Sequence, residues 1–147
     1  MIRPLISAIF GSLELFFLLS FFIHLYWGLG GKGLVMYALP VKADGEYYFR
    51  PGKIALFMIP FLSMALFLIF IMFDSIESKF RYAHFLFLIL GIMFVVRAIG
   101  DFRSCGFFKH KVSSIFWLYD TYLYTPGAVL VAVMQFILFA HYSHIAL

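Results

Sequence analysis

Charged residues are scarce in this chain: Asp, Glu, Lys and Arg make up 12% of its 147 residues, against about 25% in soluble domains. So few charges cannot cover the surface of a soluble domain, which excludes an ordinary cytoplasmic enzyme, a disordered chain and a coiled coil. Cys105 is the sole cysteine, so a disulfide-stabilised secreted domain is also excluded. The chain is instead 65% hydrophobic and 22% aromatic, which indicates an integral membrane protein of one domain, residues 1–147.

Four apolar segments are long enough to cross a bilayer as helices, which takes roughly 20 residues. The last is preceded by Thr125 and Pro126, a capping residue followed by proline at the first helical position. Long continuous apolar runs do not fit the alternating strands of a membrane barrel. The sequence therefore predicts an all-α membrane protein, a four-helix antiparallel transmembrane bundle. The four predicted spans are residues 5–27, 54–73, 82–100 and 126–142.

Residues 114–124, just before the fourth segment, are apolar and aromatic with one acid, Asp120. This composition is typical of a short helix that lies along the membrane interface. The first segment differs from a signal peptide because its apolar core is too long and no small-residue cleavage site precedes Trp27. We therefore expect the first segment to be retained as a span.

The distribution of Lys and Arg predicts the orientation of the spans. The N-terminus, second loop and C-terminus hold three such residues, and the first and third loops hold seven. This imbalance places the first and third loops in the cytoplasm and both termini on the other side. The opposite orientation stays open if some of the seven bind a ligand. The three are Arg3, Lys79 and Arg81, and the seven are Lys32, Lys42, Arg50, Lys53, Arg103, Lys109 and Lys111.

Three polar residues are predicted to lie near the membrane midplane. Glu14, Ser63 and Gln135 each lie nine residues inside their predicted span, or about 13 Å at 1.5 Å per residue. A lone carboxylate at this depth is costly, so Glu14 is expected to face the other helices, paired or protonated, near Gln135 or Ser63. The layer is either a polar clamp between helices or a proton-titrating or cation-binding site.

A second group of polar residues lies on the side of the first and third loops. Arg97 is followed at i+4 by Asp101 on the same helical face, so Asp101 either neutralises a snorkelling Arg97 or holds it for an anion. His24, Tyr26 and Trp27 end the first span on this side. The two aromatic residues fit an interfacial belt. A single histidine does not make a metal site, so none is predicted.

Three ordered motifs resemble a known family. The first is HLYWGLGGKG at residues 24–33, followed by ALP at 38–40; the second is RAIGDFR at 97–103, followed by GFFK at 106–109. The third is Asp120 followed by Tyr124, Thr125 and Pro126. Together they resemble the bacterial four-helix integral membrane proteins grouped as domain-of-unknown-function family 3995. The resemblance covers nearly the whole chain and implies a four-span protein of the bacterial inner membrane, without an established activity.

The sequence departs from the family pattern at two places. Thr125 stands where we expect serine, and it keeps the capping hydroxyl. Gly127 and Ala128 stand where we expect larger apolar residues. Neither departure removes a charged group.

The predicted topology brings the three motifs to one side of the membrane, where they would form a ligand-binding cluster. Arg97 and Arg103 would hold an anionic head group, and aromatic residues would flank the apolar part of an amphipathic or lipid ligand. His24 with Asp101 or Asp120 would supply a base and its orienting group if a reaction occurs; no cofactor is assigned. The predicted ligand-binding residues are His24, Tyr26, Trp27, Arg97, Asp101, Arg103, Asp120 and Tyr124.

Two alternative functions fit the same composition. One is a small homodimeric, proton-coupled transporter in which Glu14 is the coupling residue; its activity would follow pH and depend mainly on Glu14. The other is an accessory subunit, which would purify with a larger membrane partner. All three hypotheses place the protein in the lipid bilayer, and none of them involves binding to nucleic acid.

Overall fold

The computed structural model describes residues 2–42, 44–75, 84–110 and 114–146. This part of the chain is mostly helical and contains no strand, apart from an isolated antiparallel bridge between Val41 and Tyr47. The chain forms two compact units: Met1–Gly33 with Pro51–Arg81, and Leu34–Arg50 with Tyr82–Leu147. The helices are α1 (Ile2–Gly28), α2 (Val35–Ala38), α3 (Lys53–Ser75), α4 (His84–Ile99), α5 (Ile115–Tyr119), a π-helical segment (Asp120–Tyr124) and α6 (Thr125–Ala146).

In the first unit, α1 packs against α3 through aromatic side chains. Phe10, Leu13 and Phe17 recur at the i, i+3 and i+7 spacing of one helical face, and all three are buried. The Phe70 ring of α3 lies 5.8 Å from the Phe10 ring and 5.4 Å from the Phe17 ring, measured between centroids. Contacts between phenylalanine rings therefore form part of the core of this unit, beside buried aliphatic side chains such as Leu13 and Leu66.

In the second unit, α4 packs against α6 at a face with small residues. Ala128 and Ala132 of α6 are buried, and so are Phe87 and Leu90 of α4. A Cβ atom added to Gly91 would lie 2.6 Å from the Phe136 ring. The absence of a side chain at Gly91 therefore makes room for that ring between the two helices.

Among the described residues, three helices are long and apolar enough to cross a membrane: Ile2–Gly28, Lys53–Phe73 and Ile115–His144. They contain the first, second and fourth predicted spans, and their length and composition are those of a membrane protein. The helix at the third predicted span, α4 (His84–Ile99), has 16 residues and is about 24 Å long. It is therefore shorter than the roughly 30 Å thickness of a bilayer core. Residues 82 and 83 of that predicted span lie outside the described residues, and the count of four crossings remains a prediction.

Helix α6 begins at Thr125, where the sequence predicts a helix start, but the predicted capping role of Thr125 is wrong. The helical run begins earlier, at Ile115, where the Ser114 side chain accepts a hydrogen bond from the Trp117 N–H, and it continues through the π segment into α6. Thr125 itself is helical, and its N–H donates to the Asp120 carbonyl five residues earlier. The short helix predicted before the fourth span is confirmed as α5, but it joins α6 without a break.

Proline explains why the junction is π-helical. Inside an α-helix, the proline ring clashes with the carbonyl group four residues earlier and lacks the N–H that this carbonyl needs. The π segment ends immediately before Thr125 and Pro126, and its wider turns displace the carbonyl groups that would otherwise meet the ring. The sequence signal for a helix start therefore marks a change of helical winding.

Candidate functional site

The side chain of Asp120 is fully buried and accepts hydrogen bonds from three parts of the second unit. Its Oδ1 accepts from Nη2 of Arg97 at 2.6 Å. Its Oδ2 accepts from Nζ of Lys109 at 2.8 Å, from the Gly106 N–H at 2.8 Å and from the Thr125 hydroxyl at 3.2 Å. These five residues are called the Asp120 cluster, and one carboxylate joins α4, the loop that follows it and the helix that begins at Ile115.

The π segment places Asp120 and Thr125 on the same side of the helix. Residues five apart point in different directions in an α-helix of 3.6 residues per turn. The i to i+5 hydrogen bond of a π-helix brings them together, and Thr125 then donates to Asp120 through both its backbone N–H and its hydroxyl. The winding before Pro126 thus supplies one donor of the cluster.

The loop after α4 folds back on itself and supplies two more donors. Gly100 and Gly106 both have φ of +87°. A Cβ atom on Gly100 would collide with the Cys105 carbonyl, and one on Gly106 would collide with the Gly100 backbone. The Phe107 N–H then donates to the Ala98 carbonyl at 2.9 Å. This tight return directs the Gly106 N–H and the Lys109 side chain to Asp120.

Asp101 organises the same loop instead of pairing with Arg97. Its Oδ1 accepts hydrogen bonds from the N–H groups of Arg103, Ser104 and Cys105, and its Oδ2 accepts from the Ser104 hydroxyl at 2.5 Å. Partial burial raises the pKa of Asp101, but these hydrogen bonds outweigh it and hold the pKa well below its usual range. The predicted pairing of Asp101 with Arg97 is wrong, because the tight turn presents three N–H groups to that carboxylate.

The Asp120 cluster carries more positive than negative charge. Asp120 faces two cations, Arg97 and Lys109. The Lys109 side chain is 5% exposed; its ammonium group also donates to the Gly106 carbonyl at 3.1 Å and lies 5.7 Å from the centre of the Trp117 ring. Arg97 is 37% exposed, and its buried Nη1 has no hydrogen-bond partner among the described residues. The cluster thus combines an excess positive charge with an unsatisfied guanidinium donor.

Of the predicted ligand-binding residues in the second unit, the structure brings Arg97 and Asp120 into direct contact. Arg103 is exposed, and it contributes its backbone N–H to the Asp101 turn. The Tyr124 ring lies 6.3 Å from the rings of Phe116 and Tyr119. The sequence prediction of ligand-binding residues missed Lys109, Gly106 and Thr125; all three lie in the motifs, but their link to Asp120 depends on the fold of the loop.

The other predicted ligand-binding residues lie in the first unit, where they organise the glycine-rich loop. The Tyr26 hydroxyl accepts a hydrogen bond from the Gly33 N–H at 3.1 Å, and Trp27 Nε1 donates to the Gly33 carbonyl at 2.8 Å. A Cβ atom on Gly31 would collide with the Tyr26 ring. His24 Nδ1 lies 2.8 Å from the Ser20 carbonyl. A ligand-binding role for His24, Tyr26 and Trp27 remains a prediction.

Two of the residues predicted near the midplane are buried. Ser63 is 6% exposed and its hydroxyl lies 3.2 Å from the hydroxyl of Ser20. The side chain of Gln135 is fully buried, and its amide group has no hydrogen-bond partner among the described residues. Glu14 is partly buried. The pairing of Glu14 with Gln135 or Ser63 stays a prediction.

Comparison with known proteins assigns the chain to a family but identifies no activity for it. Within the described ranges, no three His, Cys, Asp or Glu side chains lie together in a way that could hold a metal ion. No curated protein and no solved structure matches the chain. The sequence model of the family described as protein of unknown function (DUF3995) matches residues 16–135, which include Arg97, Lys109, Asp120 and Thr125. The chain therefore belongs to the DUF3995 family of proteins of unknown function.

Proposed function

We propose that this membrane protein binds an anionic amphipathic molecule, with Arg97 contacting its head group and the Asp120 cluster holding Arg97 in place. The observation that carries the proposal is the buried Nη1 of Arg97, which lacks a hydrogen-bond partner among the described residues. A buried polar group without a partner costs about 1–3 kcal/mol. An anionic oxygen beside Nη1 would remove that cost and balance the excess positive charge.

Arg97 is better suited to this role than Lys109. The Lys109 ammonium is almost fully buried and already donates to Asp120 and Gly106. Arg97 uses Nη2 for Asp120 and is partly exposed. Its planar guanidinium can bind a phosphate or carboxylate through two parallel hydrogen bonds. Asp120 would then position Arg97, and Lys109 would neutralise Asp120.

The surroundings of Arg97 favour a ligand with an apolar part. Phe102, Phe107 and Phe108 are each at least 60% exposed, and the rings of Phe102 and Phe108 stack with centroids 5.8 Å apart. Phe107 is joined to Ala98, the residue after Arg97, by a backbone hydrogen bond. An anionic head group at Arg97 with its tail among these rings is therefore the arrangement that the residues support. The transporter and accessory-subunit alternatives gain no support from the comparisons.

The proposal places the Asp120 cluster at the cytoplasmic face of a bacterial inner membrane, in a chain with four crossings and both termini on the other side. The excess of Lys and Arg in the first and third loops supports this orientation. Cysteine replacements at Lys79 and at the exposed Arg103, made in a protein whose Cys105 is replaced by serine and labelled in intact cells by a membrane-impermeant reagent, test it. Labelling at position 79 supports the orientation, and labelling at position 103 without labelling at position 79 contradicts it.

Binding of dodecyl phosphate to the purified protein in an uncharged maltoside detergent tests the proposed function. Arg97→Gln is expected to weaken binding about tenfold or more, because a hydrogen bond to a charged group is lost. Arg97→Lys is expected to recover part of the affinity, since it keeps the charge but not the planar fork. Arg3→Gln removes the same charge from α1 and serves as the control. A folded Arg97→Gln protein that binds as tightly as the wild type would refute the proposal.

A further inference from the structure

Helix α3 carries an open groove on its exposed face, within the first unit. Two ridges of side chains border the groove, each made of residues spaced by four, which is the spacing of adjacent rows on a helix surface. The groove has a volume of about 560 Å³ and is lined by Lys53, Ile54, Phe57, Met58, Phe61 and Leu62. Phe61 and Met58 are 68% and 64% exposed, so no other described part of the first unit covers the groove.

The length of the groove matches one leaflet of a bilayer. From Lys53 to Leu62 the helix advances nine residues, or about 13 Å, and half of a bilayer core is about 15 Å. Lys53–Phe73 is one of the helices long and apolar enough to cross a membrane. The groove therefore runs from the end of the predicted span to about its middle, which is the depth that one acyl chain occupies.

A single cation stands at the outer end of the groove. Lys53 is the first residue of α3 and is exposed, and its side chain makes no ion pair with any described residue. The first turn of α3 contains no acidic residue. Every other lining residue is apolar. The groove thus has the polarity of a phospholipid: a positive end at the membrane surface and an apolar channel below it.

We infer that this groove binds one phospholipid with an anionic head group, held by Lys53, and one acyl chain between the two ridges. The site is separate from the Asp120 cluster and does not depend on the function proposed for it. A second copy of this chain could also cover an exposed apolar face, but an apolar partner face would leave Lys53 unpaired. Charge complementarity therefore favours the lipid.

Lipid retention by the full-length protein tests the inference. The protein is reconstituted into vesicles of equal parts phosphatidylcholine and phosphatidylglycerol, extracted in mild detergent and weighed by native mass spectrometry. Lys53→Gln is expected to lower retained phosphatidylglycerol about fivefold, which corresponds to the roughly 1 kcal/mol of a basic side chain near an anionic membrane surface, and to leave phosphatidylcholine unchanged. Lys32→Gln removes an exposed charge from the first loop and is the control; an equal loss in this variant would overturn the assignment to Lys53.

A second pair of variants tests the apolar part of the groove. Met58→Trp fills the space between the ridges and is expected to reduce retention of both lipids, whereas Met72→Trp, at an exposed position on α3 outside the groove, is expected to leave retention unchanged. Equal lipid retention in the two variants would overturn the inference that an acyl chain occupies this groove. A mass of two chains that Met58→Trp reduces to one, without bound lipid, would assign the face to a second copy instead.

The lipid site at Lys53 and the anion site at Arg97 can be tested independently of each other. Arg97→Gln is expected to leave phosphatidylglycerol retention unchanged, and Lys53→Gln is expected to leave the affinity for dodecyl phosphate unchanged. Loss of both properties in either variant would mean that one anion site, and not two, accounts for the binding, and it would overturn the separate site at Lys53.

Discussion

The carbonyl oxygen of Leu56 in α3 lies against Gly28 at the end of α1. A Cβ atom on Gly28 would be 3.2 Å from this oxygen and 3.3 Å from the Phe57 ring. Pro60, four residues after Leu56, lies inside α3 and has no N–H to donate to that carbonyl. The two helices of the first unit therefore meet closely at the carbonyl that proline leaves without its helical partner.

We expect Gly28→Val to destabilise the protein because the added side chain must displace the Leu56 carbonyl or the Phe57 ring. Overpacking of this kind costs about 1–3 kcal/mol. Gly11→Val is the control, since nothing lies within 4 Å of a Cβ atom at Gly11 in the same helix. Thermal unfolding of both variants in detergent measures the difference. Equal melting temperatures would show that the contact at Gly28 yields without cost.

Asp120→Asn is expected to be strongly destabilising. Asparagine keeps the shape of the side chain but leaves Lys109, which is 5% exposed, without its counter-charge, and breaking a buried ion pair costs about 3–5 kcal/mol. Glu46→Gln breaks the exposed pair with Lys42, in which the Glu46 side chain is 74% exposed, and is expected to cost at most about 1 kcal/mol. The measurement is the free energy of unfolding of each variant relative to the wild type. A similar loss of stability in the two variants would contradict a structural role for the buried pair.

Gly106→Ala is expected to prevent the loop after α4 from closing on the Asp120 cluster. Gly45→Ala is a matched control because Gly45 and Gly106 share a φ of +87°, yet nothing lies within 4 Å of a Cβ atom at Gly45. The control should lose only about 1–2 kcal/mol from the left-handed backbone, whereas Gly106→Ala adds a collision with Gly100. Yield of folded protein and melting temperature report the difference. Equal effects would mean that backbone strain alone requires glycine at position 106.

Asp101 should make stability depend on pH in the acidic range. Its pKa is lowered in the folded protein, so the unfolded chain, with a pKa of about 3.9, binds a proton first as the pH falls. Ionised Asp101 therefore stabilises the protein fully above about pH 4, and this contribution is lost as the pH falls toward the folded pKa. Wild type should melt higher than Asp101→Asn at pH 7, with a smaller difference at pH 3. A constant difference would contradict the role assigned to the carboxylate.

The sequence by itself determined that this is a helical membrane protein and which apolar segments form its long helices. Apolar runs of about 20 residues predict membrane-crossing helices because length and hydropathy act locally, and Ile2–Gly28 and Lys53–Phe73 follow that prediction. The same local reasoning identified Arg97 and Asp120 as charges in an apolar chain. The three motifs identified the family, which the matched residues 16–135 confirm.

Only the tertiary structure decided which charges meet. Periodicity compares residues three or four apart, so it paired Arg97 with Asp101, although the partner of Arg97 is Asp120, 23 residues away. That pairing depends on the return of the chain between Gly100 and Gly106 and on the three N–H groups that occupy Asp101. Thr125 likewise shows a capping residue in sequence but lies inside a helix, because the π segment accommodates Pro126. Contacts between distant residues depend on how the loops close, and a local pattern carries no information about that.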